Sequence, residues 1–215
     1  MRQESQNIHI PELRFQRQSE LFDSEEFQET IAIIGAGNIG STTAYGLAKL
    51  GMRSIIVYDF DKVEEHNLAS QFFGIEDIGK LKTDCLKEHI KRFTGIEIST
   101  DGKFTDQRTY GILIIAVDTM KERERICKVI SKYPPRVIID GRMGGDTIEI
   151  YTANTPAEYK KTLAKEVEAV GCAERYISYS SLLIAGLITN QVKRFLKEED
   201  VKSSILLDIS TLRFG

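Results

Sequence analysis

A glycine-rich turn between a strand and a helix constrains the fold of this chain more than any other feature of its sequence. Gly35, Gly37 and Gly40 form a GxGxxG pattern that follows the apolar run 30–35 and opens a helix predicted over 38–50. In this context the first glycine permits a tight turn, the second lets the backbone approach a phosphate, and the third allows close packing of helix on strand. The free N–H groups of the helix start, at Asn38, favour an anion. The pattern therefore predicts a bound nucleotide, with glycines used only for packing as the alternative.

Short apolar strands alternate with helices along most of the chain. The pattern predicts strands at 30–35, 54–59, 96–99, 111–117 and 136–140, and helices at 38–50, 80–93 and 120–132. Unbroken apolar strands separated by helices indicate a mostly parallel sheet covered on both faces, which is a doubly wound, Rossmann-like α/β fold. A strand at 148–151, an apolar helix at 177–196 and one or two strands within 204–214 predict a C-terminal antiparallel extension. We expect an N-terminal arm at 1–24 and a single domain at 25–215.

The composition excludes several classes of protein. The 215 residues include 29 Lys and Arg against 32 Asp and Glu, so the net charge of −3 argues against a large basic surface for nucleic acid or anionic lipid. The apolar runs are far shorter than the roughly 20 residues of a membrane-spanning helix, and residues 1–12 lack the apolar core of a signal peptide. Cys85, Cys127 and Cys172 form no CxxC pair. We therefore expect a cytoplasmic protein without structural zinc, disulfides, or a nucleic-acid or membrane partner.

Acidic, amide and basic residues follow the second strand in an order that suits a triphosphate. Asp59 ends that strand 19 residues after Gly40, where its carboxylate can accept hydrogen bonds from ribose hydroxyls. Asp61, Asn67, Gln71 and Lys82 come next along the chain. Carboxylates hold ribose and Mg²⁺, and amides and lysines hold phosphate oxygens. A dehydrogenase has no evident use for this series, so the sequence favours ATP with Mg²⁺ over NAD(P).

At this point the chain resembles the superfamily of ubiquitin-activating enzymes and the ThiF-type adenylyltransferases of thiamine and molybdopterin biosynthesis. That family has GxGxxG, DxD, NLxRQ, IGxxK and an Asp after the fourth core strand, and this chain supplies Asn67-Leu68 with Gln71, Ile78-Gly79 with Lys82, and Asp118. The resemblance implies an adenylyltransferase that uses ATP and Mg²⁺. Its partner would be a small ubiquitin-fold or sulfur-carrier protein whose C-terminal Gly-Gly carboxylate it activates, and the enzyme would be a homodimer.

The resemblance also implies a role for each matching residue. Asp59 would hold the ribose, Asn67 and Lys82 would contact phosphates, and Asp118 would position Mg²⁺ near the α-phosphate. Arg17, in the segment RFQRQ, resembles an arginine that family members lend to the γ-phosphate in a neighbouring subunit. More ordinary roles stay open from the residues alone: Asp61 and Asn67 as turn or cap residues, Lys82 as a solvated lysine, and Asp118 as a helix cap.

Two departures from the family pattern bear on activity. Ser70 stands where the family has the arginine of NLxRQ, so a guanidinium that stabilises pyrophosphate is missing. Arg14, Arg17 and Lys80 are candidates to replace it. The two CxxC pairs that hold zinc in many bacterial relatives are also absent. Two alternatives therefore stand beside the adenylyltransferase: a catalytically weakened nucleotide-binding partner subunit, and an NAD(P)-dependent oxidoreductase supported only by the glycines and Asp59.

Cys172 is the thiol that sequence analysis selects for capture of an acyl-adenylate. It lies in a glycine-containing loop before the helix at 177–196, near Arg175, and a helix start and a cation both favour thiolate. A Cys-Ala sequence similarly precedes a helix in the compact activating enzymes of ubiquitin-fold modifiers, whereas the alternative is a loop cysteine without a role. The glycine-rich segment 142–146 is interpreted as a hairpin-like turn, or as a border of the carrier's tail. The remaining candidates, predicted to be surface residues without metal-ligand spacing, are His9, His66 and His89.

Overall fold

An eight-stranded sheet forms the centre of the structure, a computed structural model that describes residues 12–163 and 177–214. The strands are β1 (Ile31–Ile34), β2 (Ile55–Tyr58), β3 (Ser99–Asp101), β4 (Ile112–Ile115), β5 (Val137–Gly144), β6 (Thr147–Ala153), β7 (Ser204–Asp208) and β8 (Arg213–Phe214). Their order is β3-β2-β1-β4-β5-β6-β7-β8. The first five strands are parallel, and β6, β7 and β8 continue the sheet in antiparallel pairs. The predicted parallel sheet with an antiparallel extension is confirmed.

Helices cover both faces of this sheet. They are α1 (Asn38–Leu50), α2 (Lys82–Thr94), α3 (Met120–Ile130), α4 (Pro156–Leu163) and α5 (Ser178–Leu196). Ile31 and Ile33 of β1 pack in one hydrophobic cluster with residues of α1, α2 and α5, whereas Ala32 and Ile34 pack in a second cluster with residues of α3 and α4. Successive side chains of a strand point to opposite faces. A strand that is apolar throughout is therefore buried on both sides, as the sequence predicts for a doubly wound fold.

Glycines and a threonine set the ends of the helices that carry the site. Gly51 and Gly95 adopt left-handed conformations (φ +98° and +73°) and end α1 and α2. Thr119 caps α3, because its hydroxyl accepts a hydrogen bond from the Glu122 backbone N–H at 3.2 Å. Because α1 follows β1 and α3 follows β4, the starts of both helices lie at the carboxyl ends of these strands, where open α/β sheets bind ligands.

The structure differs most from the sequence-based prediction at three places. β3 pairs with β2 over Ser99–Asp101 rather than over the predicted 96–99. The apolar Ile96 and Ile98 are buried, but they precede the paired stretch. α4 was not predicted, because Tyr159 is its only described fully buried residue and its apolar pattern is weak. Residues 142–144 extend β5, so the predicted hairpin turn is narrower and centres on Gly145, with φ +58°.

The described part of the N-terminal segment packs on the carboxyl ends of α1 and α2. Phe15 and Phe22 are buried in the larger hydrophobic cluster. The Gln18 amide donates a hydrogen bond to the Leu50 carbonyl at 2.7 Å, and the Arg14 guanidinium donates to the Thr94 carbonyl. This segment therefore lies at the opposite end of α1 from the glycine turn. Within 12–163 and 177–214, no helix has the length and apolar character to cross a membrane.

Candidate active site

A pocket of about 1080 Å³ lies at the carboxyl ends of β2, β1, β4 and β5. Nine of the twelve residues that sequence analysis selects line it: Gly35, Gly37, Asn38, Asp59, Asp61, Asn67, Gln71, Lys82 and Asp118. Gly40 packs against the Gly35 backbone and does not line the pocket, and Arg17 does not line it either. Cys172 is outside the described residues. Residues from six separate stretches of sequence thus meet in one cavity large enough for a nucleotide.

The three glycines of the turn have the separate roles that the sequence predicts. Gly35 has φ +99°, and a Cβ added there would lie 2.5 Å from the Ala116 carbonyl oxygen. A Cβ on Gly40 would lie 1.8 Å from the Gly35 carbonyl oxygen. Gly37, the residue that caps α1, would meet no protein atom within 4 Å and lines the pocket. Gly35 and Gly40 therefore allow close packing, while Gly37 leaves open space beside the helix start, where a phosphate fits.

Asp59 links the end of β2 to the glycine turn. Its Oδ2 accepts a hydrogen bond from the Ala36 backbone N–H at 2.6 Å, and its Oδ1 accepts one from the Asp61 backbone N–H at 2.7 Å. Burial raises the pKa of the Asp59 carboxyl, and these two hydrogen bonds oppose that shift. Each oxygen keeps a further lone pair for a ribose hydroxyl.

Lys82 is buried at the base of the pocket. Its side chain is only 9% exposed, and its Nζ lies 3.7 Å from Oδ2 of Asp61. The alternative of a solvated surface lysine is therefore wrong, because Lys82 is the first residue of α2 and faces the cavity. A buried ammonium with one loosely held carboxylate partner suits a phosphate oxygen as its second partner.

Two amides complete the phosphate side of the pocket. Asn67 is buried, and its Oδ1 accepts a hydrogen bond from the Glu64 backbone N–H at 2.9 Å, so the cap role left open for it is present. Its position in the pocket wall adds to that role. Gln71 is also in the wall, and its buried Oε1 has no hydrogen-bond partner among the described residues. An orphaned buried acceptor at a cavity fits a site that binds a ligand.

Asp118 lies in the pocket directly beyond β4 and is exposed. Thr119, not Asp118, caps α3, so the carboxylate is not used as a helix cap. The described residues contain no group of three or more His, Cys, Asp or Glu that could hold a metal alone. Mg²⁺ is commonly held by one or two carboxylates together with substrate phosphates, and Asp118 beside an anion site fits that mode.

The cations proposed to replace the missing arginine do not line this pocket. Arg14 contacts Glu12 and the Thr94 carbonyl, Lys80 is exposed, and Arg17 is exposed in the segment that packs near Leu50. Helix α1 separates Leu50 from the glycine turn by about 18 Å at 1.5 Å per residue. Arg17 therefore does not belong to the pocket of its own chain.

A buried cluster that the sequence did not predict lies at the β5 side of the pocket and consists of Arg123, Asp140 and Arg142. Nε of Arg123 donates to Oδ1 of Asp140 at 3.0 Å, and Nε of Arg142 donates to Oδ2 at 2.7 Å. Asp140 is fully buried, and both arginines line the cavity. The signal in the sequence was a charged pair, Asp140 and Arg142, at the end of an otherwise apolar strand.

The structure also locates other residues that carried predictions, whereas His9 lies outside the described residues. Cys85 and Cys127 are buried on helix faces, as predicted, and burial raises the pKa of Cys85 to about 11 and also raises that of Cys127. His66 is exposed, whereas His89 is only partly exposed: its side chain is 22% exposed, and its Nε2 lies 2.6 Å from Oδ2 of the buried Asp77. The same Oδ2 of Asp77 also accepts a hydrogen bond from the Gly74 backbone N–H at 2.7 Å.

Comparisons with known proteins agree with this geometry. The ThiF family model matches residues 5–213. The chain is 34% identical over 104 residues to the NEDD8-activating enzyme E1 catalytic subunit of Arabidopsis thaliana, covering 45% of this chain and 23% of that protein. It is 33% identical over 87 residues to the probable adenylyltransferase/sulfurtransferase MoeZ of Mycobacterium tuberculosis, covering 40% and 21%. The structure of E. coli MccB with ATP superposes with a TM-score of 0.79 at 16% identity, covering 97% of this chain and 71% of that one, so it shows a shared fold. The match thus spans less than a quarter of the two curated relatives.

Proposed function

Because the chain belongs to the ThiF family, we propose that it is an ATP-dependent adenylyltransferase that activates the C-terminal glycine carboxylate of a ubiquitin-like or sulfur-carrier protein. One observation carries the proposal: a single cavity brings together the glycine turn, Asp59, Lys82 and Asp118 at the switch point of the sheet. The relatives named for activating ubiquitin-like proteins and for adenylyl transfer support it.

The residues of the pocket divide the nucleotide between them in this proposal. Asp59 accepts hydrogen bonds from the ribose hydroxyls, while the open space at Gly37 and the start of α1 receive the phosphates. Lys82 and the Asn67 amide neutralise and orient phosphate oxygens. Asp118, with phosphate oxygens, would hold Mg²⁺, which when bound neutralises charge on the phosphates.

The proposed reaction needs positioning rather than a general base. A carboxylate oxygen of the substrate forms a bond to the α-phosphorus, the bond between the α-phosphorus and the bridging oxygen breaks, and pyrophosphate leaves with that electron pair. No proton is transferred, because the nucleophile is already ionised. The chain's contribution is therefore alignment and neutralisation of charge on the leaving group.

The proposal also involves two residues that do not line the described pocket, Arg17 and Cys172. Arg17, exposed at the far end of α1, would reach the γ-phosphate of a partner subunit, which requires a homodimer. Cys172 would capture the acyl group: its thiolate attacks the acyl carbon of the adenylate, and AMP leaves. We also propose a cytoplasmic location, since three cysteines without CxxC spacing suit a reducing compartment.

Exchange of labelled pyrophosphate into ATP tests the central proposal. Small proteins ending in Gly-Gly, beginning with any encoded beside this gene, serve as carriers. We expect carrier-dependent exchange that Asp118→Ala abolishes, while Asp84→Ala, an exposed substitution on α2, leaves it unchanged. ATP binding without exchange with any carrier would indicate a partner subunit instead. A rise in melting temperature with NADH but not with ATP and Mg²⁺ would indicate an oxidoreductase.

A separate experiment tests Cys172. Incubation with ATP and the cognate carrier should give a covalent adduct that thiols release, and Cys172→Ala should lose that adduct while keeping pyrophosphate exchange. An adduct that persists in the variant would remove Cys172 from the mechanism.

A further inference from the structure

The buried cluster of Arg123, Asp140 and Arg142 lies at the opposite side of the pocket from the ribose position. Asp140 of β5 is in register with Ile115, which continues through β4 and β1 to Tyr58, the residue before Asp59. Three strand spacings therefore separate Asp140 from Asp59, a distance of about 14 Å. A nucleotide whose ribose binds at Asp59 has its phosphates at the glycine turn between the two, so the cluster faces the space beyond the phosphates.

The contacts of the cluster hold both guanidinium groups in fixed positions. Arg123 also donates from Nη2 to the Gly141 carbonyl at 2.9 Å. Arg142 donates from Nη2 and Nη1 to the hydroxyl and carbonyl of Thr162, at 2.9 and 3.2 Å. The Tyr159 hydroxyl lies 3.3 Å from Oδ2 of Asp140. Nη1 of Arg123 has no acceptor among the described residues, although Arg123 lines the cavity.

The cluster has one positive charge more than it neutralises internally. Arg123 is 4% exposed, Arg142 is 7% exposed, and Asp140 is fully buried. Of the acids that also line this part of the pocket, Glu122 is paired with Arg125 at 2.6 Å, and Glu149 lies opposite Arg142 in the sheet without forming an ion pair with it. A buried surplus charge is costly unless an anion pairs with it. The arrangement therefore points to an anionic ligand.

We propose that the Arg123–Asp140–Arg142 cluster binds the terminal carboxylate of the acyl substrate and directs it at the α-phosphate. This inference rests on the proposed adenylyltransferase function and names the residues that receive the nucleophile. Two anions must approach to bonding distance in this reaction, and a fixed positive charge beside them lowers their repulsion. Guanidinium groups suit a carboxylate because their N–H donors match its two oxygens.

The wild-type protein provides the first test, with N-acetylglycylglycine as the probe and its C-terminal amide as the uncharged control. The titration is followed through the arginine Nε–H signals by NMR, with a non-hydrolysable ATP analogue and Mg²⁺ at saturation. We expect the acid to shift the Arg123 and Arg142 signals saturably and the amide to leave them unchanged. Equal shifts with acid and amide, or none with either, would overturn the proposal.

Conservative variants provide the second test, because lysine keeps the charge but loses the fork of donors. Arg123→Lys and Arg142→Lys should each weaken binding of the acid at least about tenfold while changing affinity for the ATP analogue less than about twofold. Lys121→Gln, an exposed substitution on the same helix, is the matched control and should change neither.

The same variants distinguish the two anions that the cluster could bind, the carboxylate of the acyl substrate and a phosphate. If the cluster instead holds phosphate, both variants will weaken ATP binding and pyrophosphate will displace the acid, which overturns the proposal. If the wild-type protein does not bind the ATP analogue, the proposed function fails, and the titration of acid against amide without nucleotide still decides this inference. If neither lysine variant folds, the same titration of the wild-type protein decides the inference.

Discussion

The hydroxyl of Ser70 donates a hydrogen bond to Oδ1 of Asn38, with 2.7 Å between the two oxygens. Asn38 is the first residue of α1 and lines the pocket, so Ser70 lies beside the helix start where phosphates are expected. The family pattern has an arginine at this position. The serine thus stabilises the amide at the edge of the site but brings no charge to it.

Restoring the arginine should strengthen the phosphate site. We expect Ser70→Arg to bind ATP with Mg²⁺ about tenfold more tightly, because a charge-assisted hydrogen bond to phosphate contributes more than the neutral bond it replaces. Calorimetric titration measures the change. Ser70→Gln is the control, since it also replaces the serine with a longer polar side chain but adds no charge. Equal affinities of the two variants would contradict an electrostatic gap at this position.

Two glycines of the turn should respond differently to the same substitution. Gly37→Ala adds a methyl group to open space, so stability should change by less than about 1 kcal/mol while ATP binding weakens at least about tenfold through steric exclusion. Gly40→Ala places its methyl group against the Gly35 carbonyl and should cost about 3 kcal/mol or more, or prevent folding. Urea unfolding and ATP titration of both variants measure the two effects. A stable Gly40→Ala protein would show that the turn can move aside.

The fold and the nucleotide half of the site were predictable because their signals are local. The glycine turn, Asp59 and Lys82 each follow or begin a strongly patterned element, and parallel strands bring their carboxyl ends to one edge of the sheet. Asp118 was selected because the family resemblance places an Asp after the fourth core strand, and it lies three residues beyond β4. Local order along the chain, together with the family resemblance, was therefore enough to predict which residues meet.

The acyl half of the site was not predictable because it depends on contacts between distant elements. Arg123 lies in a helix start, Met120–Arg125, rich in charged residues and looks like a solvated side chain in sequence. Only the packing of α3 and α4 against β5 buries it beside Asp140, with Thr162 and Tyr159 completing the set. Arg142 was assigned to a turn because Gly144 and Gly145 follow it, whereas β5 continues to Gly144.

The Asp77–His89 pair should make stability depend on acid pH. Burial of Asp77 favours a higher pKa, but hydrogen bonds from His89 and from the Gly74 backbone N–H outweigh it, and the pKa of Asp77 is lowered. A lowered pKa contributes stability above the pKa of the unfolded chain, near 4, and this contribution is lost as pH falls through the folded-state value.

We therefore expect Asp77→Asn to be less stable than the wild type at pH 6, with the difference disappearing only below about pH 4. Urea unfolding at a series of pH values measures it. Asp84→Asn, an exposed substitution on the same helix, should follow the wild type throughout. A difference that stays constant from pH 6 to pH 2 would mean that packing, not the charge of Asp77, stabilises this loop.

The buried thiols should be protected from alkylation in the folded protein. Burial first, and the nearby Asp77 second, raise the pKa of Cys85 to about 11, so at pH 8 only about one molecule in a thousand has this thiol ionised. Burial also raises the pKa of Cys127, whose Sγ lies 3.7 Å from the Pro156 carbonyl oxygen. We expect iodoacetamide at pH 8 to leave both unmodified until urea unfolds the chain, when all three cysteines react. Intact mass and peptide mapping measure the sites. Any adduct formed under native conditions should then map to Cys172 and disappear in Cys172→Ala, and alkylation of Cys85 or Cys127 in the native protein would contradict their burial.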